Sequence, residues 1–407
     1  MTRKPEHVTS MHRRQALATL ASLAAVTSSP LLLSACGGGG GDAAGGAAVG
    51  QSWTSGPISG LGSIIVNGVR FDDRGARVED DEDGIGHDAR ELKLGVMVQV
   101  QASGIDDAAA TGVATLVRFG SEMKGAVQAI DTTAQTLTVI DQTVEVRPET
   151  VFDAGIAGGL AGLAVGDVLE IHAFFNASTG HYVATRIERE DDANLFRLRG
   201  VVSGLDTVAR TFRIGAAVIA YGGIAADQLP PNLADGMRVR VRLLPQQVNG
   251  QWVAVRVRAG VVRVDDFGDA RVCGLVTDFT SPQSFSVAGV SIDATNAVFE
   301  PGPSAVRLGA LVAVRGSMSN GTLVATKVRA VDERSEEWAM VELHGSVGSL
   351  DGASKTFMLR EVKVDYSRVM MWKNGAAGDL KDGASVEVKG LWSNDRSVLY
   401  AGMIEFE

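Results

Sequence analysis

Cysteine is nearly absent from this sequence: 407 residues contain two, Cys36 and Cys273. A disulfide framework is therefore excluded, and stability has to come from packed cores. Aromatic residues are scarce at 5%. Past the N-terminal segment there is no long apolar run, which excludes a multi-span membrane protein. Basic charge is short too, with 38 Lys and Arg against 48 Asp and Glu and a formal net charge of −10. Binding a polyanion takes clustered cations, so no nucleic-acid partner is expected. The four histidines beyond the N-terminal segment, His87, His172, His181 and His344, stand singly. There is no His-x-His, Cys-x-x-Cys, Gly-x-Ser-x-Gly or Walker pattern. Ser121-Glu-Met-Lys124 matches Ser-x-x-Lys in form only, because Lys124 occupies a repeat column shared with Arg199 and His344. Neither a cofactor nor an enzymatic activity is expected.

What is present begins with an address. Residues 11–36 run from a basic Met-His-Arg-Arg through an apolar, small-residue stretch to Leu33-Ser34-Ala35-Cys36. That order is a signal peptide (1–35), and its end looks like a bacterial lipobox with Cys36 as the lipidated residue. Arg13-Arg14 partly resembles a twin-arginine export signal. Residues 36–50, mostly Gly and Ala, read as a flexible linker. The glycines following Cys36, with no Asp at the second mature position, resemble the pattern that sorts lipoproteins to the outer membrane. The expected location is the bacterial cell envelope, held by an N-terminal lipid anchor.

The remainder repeats itself. Gly-x-(Val/Ile) occurs at Gly56, Gly125, Gly200, Gly274 and Gly345, spaced 69, 75, 74 and 71. Each unit continues with two short alternating segments, then an apolar residue three before a glycine: Leu92/Gly95, Leu163/Gly166, Leu233/Gly236, Val306/Gly309 and Leu380/Gly383. A Val-x-Val-like strand follows each of these glycines, with Gln99, Glu170, Arg240, Ala313 or Glu387 at its centre. Ala114, Ala184, Ala254, Ala325 and Ala401 mark the closing strand. Period-two alternation predicts half-buried strands. Asn67-Gly68, Asn249-Gly250, Asn320-Gly321 and Asp351-Gly352 supply hairpin turns. The prediction is an all-β tandem array of five small five-stranded, OB-like barrels: residues 51–122, 123–192, 193–266, 267–334 and 335–407.

The opening Ser59-Gly-Leu-Gly-Ser-Ile-Ile-Val-Asn-Gly-Val-Arg-Phe-Asp72, the Leu-x-x-Gly-x-x-Val-x-Val segments and the Ala-Thr-x-(Val/Ile) strands resemble the bacterial family catalogued as domain of unknown function 5666. That resemblance implies exported, often lipid-anchored proteins. It implies no activity and no functional residues.

Three local features invite a role. Asp80, Asp81 and Asp83 lie in the acidic run 79–83 and are candidate Ca²⁺ ligands, although the spacing is not that of an EF-hand. Trp338, Trp372 and Trp392 cluster in the last repeat and are candidates for stacking a sugar or anchoring a protein. Cys273 shares its column, directly before the strand glycine, with Ser55, Lys124, Arg199 and His344; that predicts an outward-facing, accessible thiol. Polar connectors near 120–123, 190–195, 262–270 and 330–338 are expected to be nicked by protease. The functional expectation is a structural, spacer or adhesion/assembly module of the envelope. The alternative is a lipoprotein that binds oligosaccharide or protein through its barrel faces or last repeat.

Overall fold

The structure is a computed structural model that describes residues 48–81, 84–260, 264–331, 341–393 and 397–407. Cys36, Asp83 and Trp338 lie outside the described residues. Gly45–Glu407 form one compact unit. Among the described residues the helical pieces are 3-10 turns of three or four residues, and no helix is long and apolar enough to cross a membrane.

The third repeat shows how a barrel is built. Its strands are Phe196–Asp206, Thr211–Ile214, Ala217–Ala220, Arg238–Val248 and Gln251–Ala259. The first pairs antiparallel with the second and the fourth, the second with the third, and the fourth with the fifth. A parallel pairing of third and fifth strands closes the circle. The other four repeats close the same way, each through a parallel third–fifth pairing. This is the five-stranded Greek-key order of the OB-fold.

Alternation decides what goes inside. Val239, Val241 and Leu243 of the fourth strand are at most 1% exposed, while the intervening arginines face out. The Leu-x-x-Gly column has a backbone reason. Gly95, Gly166, Gly236, Gly309 and Gly383 all have φ between 76° and 96°, a region that favours glycine. In that conformation each donates its N–H to a carbonyl of the first strand: Ile58, Val127, Val202, Val276 or Val347. Asn67-Gly68, Asn249-Gly250 and Asn320-Gly321 turn with both residues at positive φ, as two-residue hairpins require.

The repeats follow one another in sequence but pack in a different order. The cores of repeats 1 and 5 merge into one cluster, as do those of repeats 2 and 3. The first strand of repeat 1, Ala48–Leu61, pairs parallel with the first strands of both repeat 4 and repeat 5. The connector near 120–123 is not an open linker: Ser121 and Glu122 are buried, and Glu122 pairs with Arg238 at 2.9 Å.

Cys273 is also a correction. It faces outward from its own barrel, as its column requires, yet it is only 3% exposed. Phe174 and Val183 of repeat 2 cover it, together with Leu275 and Leu311 of repeat 4. Burial pushes its thiol up to about 12, which makes it a poor nucleophile at neutral pH.

Candidate functional site

The outer faces of the five barrels differ at one recurring place. The residue before the strand glycine lies directly across from the centre of the Val-x-Val strand. The pairs are Ser55–Gln99, Lys124–Glu170, Arg199–Arg240, Cys273–Ala313 and His344–Glu387. In repeats 3, 4 and 5 this pair lies at a contact with another repeat.

In repeat 3 the pair belongs to a sheet of arginines. Arg199, Arg240 and Arg258 lie side by side across three strands, and Arg197, Arg242 and Arg256 form the next row. Like charges placed opposite one another destabilise a sheet unless they are neutralised. The acidic loop of repeat 1 does this. Asp81 Oδ1 accepts from Arg199 at 2.5 Å and Arg240 at 3.1 Å, and Asp80 lies 3.7 Å from Arg197. Burial opposes the charge on Arg199, but Asp81, Glu122 and Asp80 outweigh it and hold the guanidinium above its ordinary value. Asp80 and Asp81 therefore serve as counter-ions to arginines, a setting that repels a divalent cation.

In repeat 5 the pair sits in a second charged junction. His344 Nε2 is 2.9 Å from Glu342, and Nδ1 is 2.5 Å from Glu407. Arg70 of repeat 1 reaches Glu342 at 2.5 Å and Glu387 at 3.8 Å; Lys389 reaches the same two carboxylates at 3.0 and 3.1 Å. The donor atoms of Glu342, His344 and Glu387 lie within 4.8 Å of one another, as metal ligands would. Two cationic side chains already share those carboxylates, so the cluster balances its charge as an ion network.

Burial lowers the His344 pKa, but its bonds to Glu342 and Glu407 win and raise it above 6.5. Glu342 is held down to about 2 against the opposing effect of burial, by His344, Lys389 and Arg70. A raised His contributes fully below its unfolded value and loses that contribution as pH climbs through its folded value; a lowered Glu does the reverse. The junction between repeats 1 and 5 is therefore strongest from about pH 4.5 to 6.5. A thermal-melt series across pH should show the midpoint falling on both sides of that window. In His344→Gln the alkaline fall should vanish; an unchanged alkaline limb would remove His344 as its cause.

Repeat 4 differs from both. Its pair, Cys273–Ala313, is apolar and lines a cavity of about 560 Å³. The cavity lies among repeats 1, 2, 4 and 5, whose contributions include Ile58, Phe174, Leu311 and Trp392. Glu342 and Lys389 line it as well, so the His344 network borders it. Ligand sites commonly occupy about 300–1,000 Å³, mostly apolar with a few polar groups. A second cavity, beside Asp81 and Arg199, is only about 100 Å³.

The aromatic candidates separate here. Trp372 stacks on Phe406 at 6.2 Å and meets Tyr366 edge-on at 6.5 Å, capping the barrel of repeat 5. Trp392 instead lines the cavity, and its buried indole N–H has no hydrogen-bond acceptor among the described residues. Lys124 pairs with Glu190 at 3.1 Å, so its ammonium is engaged by a carboxylate rather than by Ser121. Sequence reasoning missed the arginine rows and the His344 network. Arg238-Val-Arg240-Val-Arg242 carried a period-two cationic signal, but the partners lie in other repeats.

The model of the family described as Domain of unknown function (DUF5666) matches residues 124–188, 274–329 and 344–405. No curated protein matches the chain. Among solved structures, one titled drosophila Unr CSD456 is similar at 13% identity, covering 53% of this chain and 99% of that one, with a TM-score of 0.14.

Proposed function

We propose from the geometry that the protein is a non-enzymatic, lipid-anchored binding module of the bacterial envelope; the DUF5666 description, whose model matches three segments of the chain, assigns no activity. Its ligand is a small molecule held where four barrels meet. The observation that carries this reading is the 560 Å³ cavity. An extended spacer has no use for a chain that folds back on itself, with repeat 1 pairing to repeats 4 and 5. Leu33-Ser34-Ala35-Cys36 supports lipidation at Cys36, and the glycines after it support the outer membrane.

Docking on an envelope protein or polysaccharide is a second reading. It is favoured by Met370 and Met371, which are 90% and 52% exposed beside Trp372.

Native mass spectrometry of protein released gently from envelopes tests the first reading. It should show the lipidated chain plus one additional small mass that is lost on denaturation. If the chain carries no extra mass and gains none from an envelope extract, the cavity is not a binding site.

A further inference from the structure

We infer that repeat 3 receives an extended segment of a partner protein, apolar at its centre and acidic beside it, as an added strand along Val255–Ala259. This surface is separate from the cavity, and the inference does not rest on ligand binding there.

The other four repeats show what belongs in this place. After the third strand each lays down a further short strand: Arg77–Asp80, Val151–Phe152, Val298–Glu300 or Met371–Lys373. Each pairs parallel with its own fifth strand. Its apolar residue, Val78, Phe152, Phe299 or Trp372, falls opposite Val117, Ile187, Val328 or Ile404. A charge in the added strand, or directly after it, meets an opposite charge on the fifth. The pairs are Glu79–Arg118 at 3.2 Å, Asp153–Arg186 at 3.5 Å, Glu300–Lys327 at 2.9 Å and Lys373–Glu405 at 3.2 Å.

Repeat 3 has no such strand among the described residues. Its fifth strand pairs with the fourth and, at Trp252 and Val253, with the third. Val257 holds the register position of Val117, Ile187, Val328 and Ile404. Gly260 donates its N–H to Arg238, and that phase turns the main-chain groups of Val257 and Ala259 away from the fourth strand. No backbone hydrogen bond from a described residue meets them on that side. The chain that would supply the strand, Gly222-Gly-Ile-Ala-Ala-Asp-Gln228, is poor in β-formers and bends into a 3-10 turn at Ala226–Gln228. An unpaired edge is a template for another strand. Val255, Arg258 and Ala259 are exposed, whereas Val257 is 1% exposed, so the strand enters as the turn gives way.

Charge selects the occupant. Arg256 corresponds to Arg186 and Lys327, the cations that Asp153 and Glu300 engage in repeats 2 and 4. It lies across from Arg242 and has no ion pair among the described residues, while Arg258 already has a partner within the protein. An acidic residue beside the apolar one supplies the missing counter-ion. A second copy of this edge would set Arg256 and Arg258 against their equals, which disfavours self-pairing.

The test uses full-length Cys36→Ala protein and two end-blocked fluorescent peptides, one alternating Glu and Val, the other Lys and Val. Fluorescence anisotropy should show the Glu-Val peptide bound about tenfold more tightly than the Lys-Val peptide, with the difference shrinking in salt. Bound peptide should slow hydrogen exchange at the Val257 and Ala259 amides and quicken it at Gln228 and Leu229, whose amides close the turn. Arg256→Glu should reverse the preference between the two peptides. Ala259→Pro removes an N–H that the fourth strand does not use and should weaken the Glu-Val peptide about fivefold. Circular dichroism checks that each variant is folded, and either folded one suffices. Binding without slower exchange at Val257 and Ala259 places the peptide elsewhere and overturns the inference, as does equal affinity for the two peptides. Failure of both peptides to bind overturns it as well; if the protein then sediments as a dimer that Ala259→Pro separates, the occupant is a second copy. None of these failures touches the cavity, which the mass measurement above tests by itself.

Discussion

Replacing Asp81 with Ala should destabilise the 45–407 unit by about 3–5 kcal/mol, the usual consequence of removing one partner from a buried ion pair. The Asp81 side chain is 7% exposed and that of Arg199 13%. Without the carboxylate, Arg199 and Arg240 face each other across adjacent strands with their shared counter-ion gone. Asp81→Asn keeps an acceptor for both guanidiniums and should lose less. Asp81→Ala combined with Arg199→Leu should recover part of the loss, because the second change removes the stranded charge. Urea unfolding followed by circular dichroism reads these differences. A loss below about 1 kcal/mol for Asp81→Ala would mean the loop only rests on the arginine face, as exposed pairs do.

Trp53→Ala should cost a similar amount, about 3–5 kcal/mol, and for a different reason. Trp53 belongs to the first strand of repeat 1, yet its ring is 2% exposed within the core of repeat 4, among Phe267, Ala270 and Val272. The strand around it pairs parallel with repeat 4, placing Trp53 opposite Ala270. Truncating the ring opens a void inside repeat 4 and removes what ties repeat 1 to it. Hydrogen exchange should speed up in Ser52–Ser55 and in Asp269–Val272, the two sides of that pairing. Trp53→Phe should retain most of the stability. Exchange confined to repeat 1 would show that the ring is not part of the core of repeat 4.

Within one repeat, the sequence by itself determined the five strands that close the barrel, but not the short extra strand after the third one in four of the repeats, such as Arg77–Asp80, which pairs parallel with the fifth. Strand alternation, the Asn-Gly turns and the positive-φ glycine that bonds back to each first strand act over at most about seventy residues, and each leaves a mark at its own position. The inward faces follow because an apolar residue at period two has only one place to go. Outward faces carry no such instruction. An arginine, a histidine or a cysteine pointing away from its barrel looks the same in sequence whether solvent or another barrel lies beyond it. Arg199 meets Asp81 across 118 positions, and Arg70 meets Glu342 across 272. Cys273 shows the consequence: its direction was legible, but its burial was not, because Phe174 and Val183 arrive from another repeat. The cavity behind it is likewise a product of how four barrels are placed, and no single column of the repeat encodes that. Barrel closure is a local problem of hydrogen bonds and alternation, whereas docking depends on complementarity between faces that only the tertiary structure brings together.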